Sequence, residues 1–361
     1  MKIGLIGLNQ TGKTTLFSLL TGKDDGGAYS GGKGAANVGT CLVPDERIDF
    51  ISSIYNPKKT TYAKIEFTDV AGFSVSSGNQ NSNASRFLND VRACDALVHV
   101  LRAFESDSVM HDLETIDPAR DLEAVETEML FADLEMIEKR IGRITAGKKV
   151  SKENEEEIAL LTRCSEILES GGSISTMELT EKERLSIRGF AFLTEKPRLV
   201  VANLDENGWE TKTYPSRDTL TDMCLKLNIP IIELCVEMEL EISRLPDDDK
   251  EVFMADMGIE QSGVAVLASK AYEYLGLISF LTYGEDEVRA WTIDAGTIAK
   301  NAAGKIHTDI ERGFIRAEVV KYDNFNELES MSKVKDKGLF RLEGKEYIVQ
   351  DGDMITFRFN V

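Results

Sequence analysis

The chain has 361 residues, 29% of them charged and 42% hydrophobic, which is enough for two or three domains with cores of their own. A formal net charge of −20 excludes a general affinity for nucleic acid, and no apolar stretch reaches membrane-spanning length. Five scattered cysteines without metal-ligand spacing, and a first strand with no signal-peptide pattern before it, lead us to expect reduced thiols in a cytoplasm.

Lys2 to Ile6 reads as a short buried strand and Lys13 to Leu20 as the helix after it. Between them stands Gly7-Leu8-Asn9-Gln10-Thr11-Gly12-Lys13-Thr14, a complete phosphate-binding loop. Successive backbone N–H groups and a helix N-terminus make such a loop a concave anion site. Lys13 is expected to reach the β- and γ-phosphates, and the Thr14 hydroxyl to ligate Mg²⁺. Gly22 to Gly39 is rich in Gly, Ser and Asp and reads as a loop.

A second strand, Ala63 to Thr68, leads into Asp69-Val70-Ala71-Gly72-Phe73, about 55 residues beyond the loop. An aspartate there can hold Mg²⁺ through water, and Gly72 can offer its N–H to the γ-phosphate. Ras-type GTPases place a water-orienting glutamine next, where this sequence has Phe73. Ala96 to Leu101 and Arg198 to Ala202 complete a set of continuous apolar runs separated by helical segments, the pattern of a mainly parallel sheet covered on both faces.

That pattern is interrupted from about Asp121 to Arg188. Leu130, Leu134, Ile137, Ile141 and Ile144 form a heptad-like stripe, and Ile158, Leu161, Cys164 and Leu168 share a face of a second helix. Gly171-Gly172 ends that helix and Thr180 to Glu183 reads as a capping box, giving an inserted antiparallel helical hairpin. After the Arg198 strand comes Asn203-Leu204-Asp205-Glu206, where guanine-specific proteins carry Asn-Lys-x-Asp. Their aspartate accepts from guanine N1–H and the 2-amino group; adenine has neither donor, and the longer Glu206 does not fit guanine in that way. Beyond Leu277 short alternating strands are expected at 315–320, 340–342, 347–349 and 354–359. Residues 277–361 hold 12 Lys/Arg and 15 Asp/Glu, so most of the negative charge lies before them and an RNA contact falls more naturally on this part.

These elements, with Phe87 to Arg92, Glu126 to Leu134, Glu287 to Ile293, Ala302 to Asp309 and Gly313 to Val319, resemble the Obg-like ATPase (YchF) family over nearly the whole chain. The resemblance implies an α/β P-loop G domain with a mainly parallel sheet, an inserted helical hairpin (coiled coil) and a C-terminal β-grasp-like TGS domain. The corresponding divisions are 1–120 and 189–276 for the G domain, 121–188 for the hairpin and 277–361 for the TGS domain. It implies ATP preferred over GTP through Asn203 and Glu206, a hydrophobic residue at the glutamine position, and association with ribosomes in translation. The expected activity is slow Mg²⁺-dependent ATP hydrolysis used as a switch by a monomer. A nucleotide-dependent binding module that does not hydrolyse, or a GTP-specific GTPase, are the alternatives.

The catalytic set is then Lys13, Asp69 and Gly72, with Thr14 and Asp69 at the metal. The nucleotide is expected against Asn9, Gln10, Thr11, Gly12, Lys13, Thr14, Thr15, Asn203, Glu206, Cys235 and Val236. Four features depart from the family. Its phosphate loop reads Pro-Asn-Val-Gly-Lys-Ser, so Gln10 stands where an asparagine can help bind K⁺, and K⁺ dependence is left open. Lys33 occupies the place of the first-switch threonine and could supply a charge near the γ-phosphate. Ser76 to Asn83 lacks the family's basic pattern, and Cys235-Val236-Glu237 replaces Ser-Ala-Lys. Of the histidines, His307 is expected to hold a structural hydrogen bond, His99 to be a satisfied core residue and His111 a solvated loop side chain.

Overall fold

A computed structural model describes residues 1–22, 37–73, 80–106, 109, 111, 113–147 and 151–360. The chain divides into two compact units, Met1–Gly39 with Glu66–Val264, and Thr40–Ile65 with Ala265–Val361. Residues 40–65, placed with the G domain on sequence, group with the C-terminal unit in this division.

In chain order the first elements are β1 (Lys2–Ile6), α1 (Lys13–Thr21), β2 (Asn37–Val43), α2 (Glu46–Tyr55), β3 (Lys59–Thr61) and β4 (Ala63–Asp69). Then come α3 (Gln80–Arg92), β5 (Ala96–Arg102), α4 (Pro118–Thr145), α5 (Lys152–Glu169) and α6 (Glu181–Ile187). The G-domain pattern resumes with β6 (Arg198–Asn203), α7 (Glu206–Thr211), α8 (Arg217–Lys226), β7 (Ile231–Leu234) and α9 (Val236–Arg244), followed by α10 (Asp247–Asp256) and α11 (Gly263–Tyr274).

The first sheet runs β2-β4-β1-β5-β6-β7, and β4, β1, β5, β6 and β7 pair in parallel. Its central strands are apolar because both faces are covered: every residue of β5 and of β6 is buried. On one face Ile6, Val70 and Leu97 pack with Phe87 and Val91 of α3 and with Val125 and Met129 of α4. Alongside them Leu101, Val200 and Ala202 meet Ala119 and Leu122 from the first turns of α4.

Helix α4 thus does two jobs along its 28 residues. Asp117 caps it by accepting from Arg120 N, Pro118 opens it, and its first half seals the sheet. Its second half carries the predicted stripe into a separate cluster, where Ile137 packs with Leu160, Leu161, Cys164 and Leu168 of α5. The capping box at Thr180 and Glu183 is present in both directions, and Gly171 ends the hairpin's second helix at φ +78°. Asp133, fully buried, is satisfied by Leu193 N, Thr194 N and Thr194 Oγ1 at 3.0, 2.8 and 2.9 Å, tying the hairpin's root to the chain that returns to β6.

The second unit contains β8 (Leu277–Thr282), β9 (Glu287–Asp294), α12 (Ala299–Ile306), α13 (Thr308–Arg312) and β10 (Phe314–Lys321). It closes with α14 (Tyr322–Leu328), α15 (Met331–Asp336), β11 (Arg341–Glu343) and β12 (Asp353–Phe359). The sheet order is β11-β10-β12-β8-β9-β3, mixed in direction, with Ala299, Ala302 and Ala303 of α12 packed on Phe280, Ala317, Val319 and Ile355. This is the expected grasp of a sheet around a helix. Tyr347 to Val349, expected as a strand, contributes only an isolated bridge from Ile348 to Ile298, since Val349 turns into the core and Ile348 outward. Helix α2 and strand β3 belong here too: Arg47 joins Asp45 at 2.8 Å and Asp351 at 2.7 Å, while Phe50 and Tyr55 rest edge-on and stacked against Phe325.

Candidate functional site

The turn from β1 into α1 uses backbone that side chains rarely permit. Gly7, Gln10 and Gly12 have φ of +143°, +59° and +89°. A Cβ on Gly7 would come within 2.3 Å of the Val100 carbonyl, so that glycine is required for the close approach to β5. The first turn of α1, Lys13-Thr14-Thr15-Leu16, has no carboxylate to oppose an anion at the helix N-terminus. Thr11 and Lys13 are buried; Lys13 Nζ donates to Leu8 O and lies 3.4 Å from Thr11 Oγ1, both inside the loop. Thr14 is exposed, Thr15 and Asn9 half-buried, and Gln10 exposed at the loop's outer bend.

Parallel register sets the second element beside the first. Leu5 pairs with Asp69, and the ladder continues as Val70 N to Leu5 O at 3.2 Å and Phe73 N to Gly7 O at 3.0 Å. Asp69 therefore arrives at the head of α1, where Thr14 Oγ1 donates to its Oδ2 at 3.1 Å. Burial raises the Asp69 pKa, while the Thr14 hydroxyl and the Lys13 charge act to lower it. A hydroxyl and a carboxylate meeting here are the oxygen donors that suit Mg²⁺, which takes few protein ligands and completes its shell with water and phosphate oxygens. Among the described residues no cluster of three or more His, Cys, Asp or Glu offers a metal cage elsewhere.

Phe73 does not line this space. It is buried, and its ring lies 5.3 Å from Phe87 in the cluster formed with Ile6, Leu8 and Val70. The position that a water-orienting glutamine would hold is here a piece of core. Gly72, just before it, is half-buried, and a Cβ built on it would meet Asn9 Oδ1 at 2.2 Å.

One buried amide joins the loop to the far end of the site. Asn203 Nδ2 donates to Thr11 O at 3.0 Å, and Asn203 Oδ1 accepts from Val236 N at 3.0 Å. A Cβ on Gly12 would collide with this amide at 2.4 Å. Asp205 caps α7 through Gly208 N at 2.7 Å and also accepts from Glu105 N at 3.1 Å, so the motif's middle acid is structural. Leu204, in the place of the guanine motif's lysine, is buried with Leu220 and Cys224. Glu206 opens α7 exposed, and its charge adds to burial in raising the pKa of Cys235. The side chains of Cys235 and Val236 are buried, and the Val236 N–H is taken by Asn203 Oδ1.

Lys33 and residues 76–79 lie outside the described residues. The histidines depart in two of three cases. His307 does accept a local bond, from Asp309 N at 3.1 Å. His111 is not solvated: its side chain is 5% exposed, with Nε2 2.9 Å from Asp121 Oδ2 and Nδ1 accepting from Leu113 N. His99 is buried in β5 as expected, yet neither ring nitrogen has a partner among the described residues. Burial, with Lys13 and Arg198 nearby, holds its pKa down to about 3 and keeps it neutral. Periodicity could place His99 inside but could not supply partners, and the pairing of His111 with α4 is a tertiary contact with no local signal.

A glycine-lined loop between strand and helix, an aspartate at the neighbouring strand end and an asparagine brace from β6 define a P-loop nucleotide-binding protein of the G-domain class. The family model for 50S ribosome-binding GTPases matches residues 2–132, and that for the C-terminal part of YchF GTPases, described as of unknown function, matches residues 277–360. The chain is 38% identical over 362 residues to the ribosome-binding ATPase YchF of Haemophilus ducreyi, covering 100% of this chain and 99% of that protein. It is 38% identical over 367 residues to its namesake in Bacillus subtilis, at 99% coverage of both. The solved YchF GTPase of Schizosaccharomyces pombe matches with a TM-score of 0.87 at 26% identity, covering 99% of this chain and 97% of that one. The chain belongs to the YchF family.

Proposed function

We propose that this protein binds a nucleoside triphosphate, ATP in preference to GTP, hydrolyses it slowly with Mg²⁺ and uses the bound state as a switch on the ribosome. What carries the reading is the meeting of Lys13, Thr14 and Asp69 at the head of α1, braced by Asn203. In it the loop N–H groups from Asn9 to Thr15 and the Lys13 ammonium hold the phosphates and stabilise charge on the γ-phosphoryl oxygens during transfer to water. Thr14 and Asp69 would hold Mg²⁺, which would supply positive charge to offset that of the phosphates. Gly72 offers its N–H to the γ-phosphate. Glu206, Cys235 and Val236 face the base, and the longer acid favours adenine. Lys33 is a candidate cation for the γ-phosphate.

The ribosome enters through the relatives' names, and two surfaces suit it: the charged hairpin of α4 and α5, and the C-terminal domain, which is close to electrical balance. We place the protein in the cytoplasm as a monomer, with the G domain at 1–120 and 189–276, the hairpin at 121–188 and the TGS domain at 277–361.

A second reading, a module that binds nucleotide without useful turnover, draws on the burial of Phe73 in the core. Single-turnover hydrolysis of ATP with and without ribosomes separates the two. The proposal expects slow release of phosphate that ribosomes accelerate, whereas no phosphate release in either arm favours the second.

A further inference from the structure

We propose that Asn9 supplies the water-orienting carboxamide that the buried Phe73 cannot, from the phosphate loop rather than from the strand end. The inference rests on the hydrolase reading above and names a residue for its chemical step.

Attack on a γ-phosphoryl group needs a polar side chain that holds the water in line, and a carboxamide serves because it can accept and donate at once. The residue after Gly72 is committed elsewhere: Phe73 is 8% exposed with its ring on Phe87. The parallel bridge of Leu8 with Phe73, and the Phe73 N to Gly7 O bond, bring the strand end against the start of the loop. There Asn9 lies nearest the side-chain face of Gly72. A Cβ built on Gly72 would find its three nearest atoms all in Asn9, with Oδ1 at 2.2 Å, Cγ at 3.1 Å and Cα at 3.2 Å. The Asn9 carboxamide thus lies against Gly72, the glycine whose N–H the proposal above assigns to the γ-phosphate, on the same strand end as Asp69 and its Thr14 contact. A side chain larger than glycine at position 72 would displace it.

In the step assigned here Asn9 Oδ1 accepts from an O–H of the attacking water while Nδ2 donates to a γ-phosphoryl oxygen. The water oxygen forms the new bond to phosphorus, the bond from phosphorus to the β,γ-bridging oxygen breaks, and ADP leaves with that electron pair. The water proton passes to a γ-phosphoryl oxygen, giving inorganic phosphate. Asn9 neither gains nor loses a proton.

The full-length Asn9→Ala and Asn9→Gln variants test this by single-turnover ATP hydrolysis, together with binding of ADP alone and of ADP with aluminium fluoride. Asn9→Ala is expected to hydrolyse ATP roughly 10²- to 10³-fold more slowly, the scale of losing one donor to the transition state. It should bind ADP within about twofold of wild type and lose the extra affinity conferred by aluminium fluoride by the same factor as the rate. Asn9→Gln, which restores the carboxamide on a longer stem, is expected to recover part of both. Wild-type hydrolysis by Asn9→Ala would overturn the role of Asn9 while leaving the hydrolase reading intact. So would a loss of ADP affinity in step with the rate, which marks a loop-shaping residue. A wild-type protein that does not hydrolyse at all would remove the hydrolase reading and this inference with it.

Discussion

Replacing Lys13 with alanine is expected to slow single-turnover ATP hydrolysis by roughly 10²- to 10³-fold, the loss seen when one preorganised electrostatic group is removed from a transition state. Lys13 is 6% exposed, held by Leu8 O and beside Thr11 Oγ1, so its ammonium is positioned by the loop itself before any phosphate engages it. Charge-assisted bonds to phosphate contribute about 1.5–3 kcal/mol each, so triphosphate affinity should also fall, by ~10- to 100-fold. Lys13→Ala also removes one of the two influences that oppose the raised pKa of Asp69, so its carboxylate should become easier to protonate. The check is hydrolysis and triphosphate binding measured on a variant whose thermal unfolding matches wild type. Hydrolysis at the wild-type rate would place phosphate stabilisation elsewhere.

Asn203→Ala is expected to do damage of a different kind. The amide is 4% exposed and makes two bonds of 3.0 Å, one to the loop and one to the start of α9. Deleting it strands a buried carbonyl at Thr11 and a buried N–H at Val236, and each orphan costs about 1–3 kcal/mol. Unfolding should therefore come at a lower denaturant concentration with an unchanged slope, and nucleotide affinity should fall about 10-fold or more because the loop loses its brace. Asn203→Asp keeps the acceptor for Val236 and loses the donor to Thr11. It should thus retain the α9 contact while still weakening nucleotide binding. Unaltered affinity in both variants would mean that the loop holds its shape alone.

The parts of this site that sequence could reach are those written locally. Strand β1, the loop and helix α1 fall in one run of residues whose glycines, apolar spacing and lysine each have a short-range reason, and the register of Leu5 with Asp69 follows once two apolar strands flank the loop. The hairpin was legible for the same reason, since the stripe from Leu130 to Ile144 and the Thr180 capping box need no knowledge of what lies across from them. What was not legible depends on distant partners. Strand β3 is three polar residues that become a strand only by pairing with Glu287 to Arg289. Helix α2 joins the C-terminal unit through Arg47 and Asp351, which are 304 residues apart. His111 looked like a loop histidine until the start of α4 brought Asp121 to it. Asn9 read as a nucleotide-contacting loop residue but gave no hint of its place beside Gly72, which is 63 positions away.

In the proposed function Glu206, on the exposed first turn of α7, selects ATP over GTP at a phosphate site of general type. Competition between ATP and GTP for binding to the full-length protein in the presence of Mg²⁺ tests it most directly. ATP is expected to displace a bound fluorescent nucleotide at lower concentration than GTP. Displacement by GTP at about a hundredfold lower concentration, a difference of roughly 2.8 kcal/mol in its favour, would contradict it.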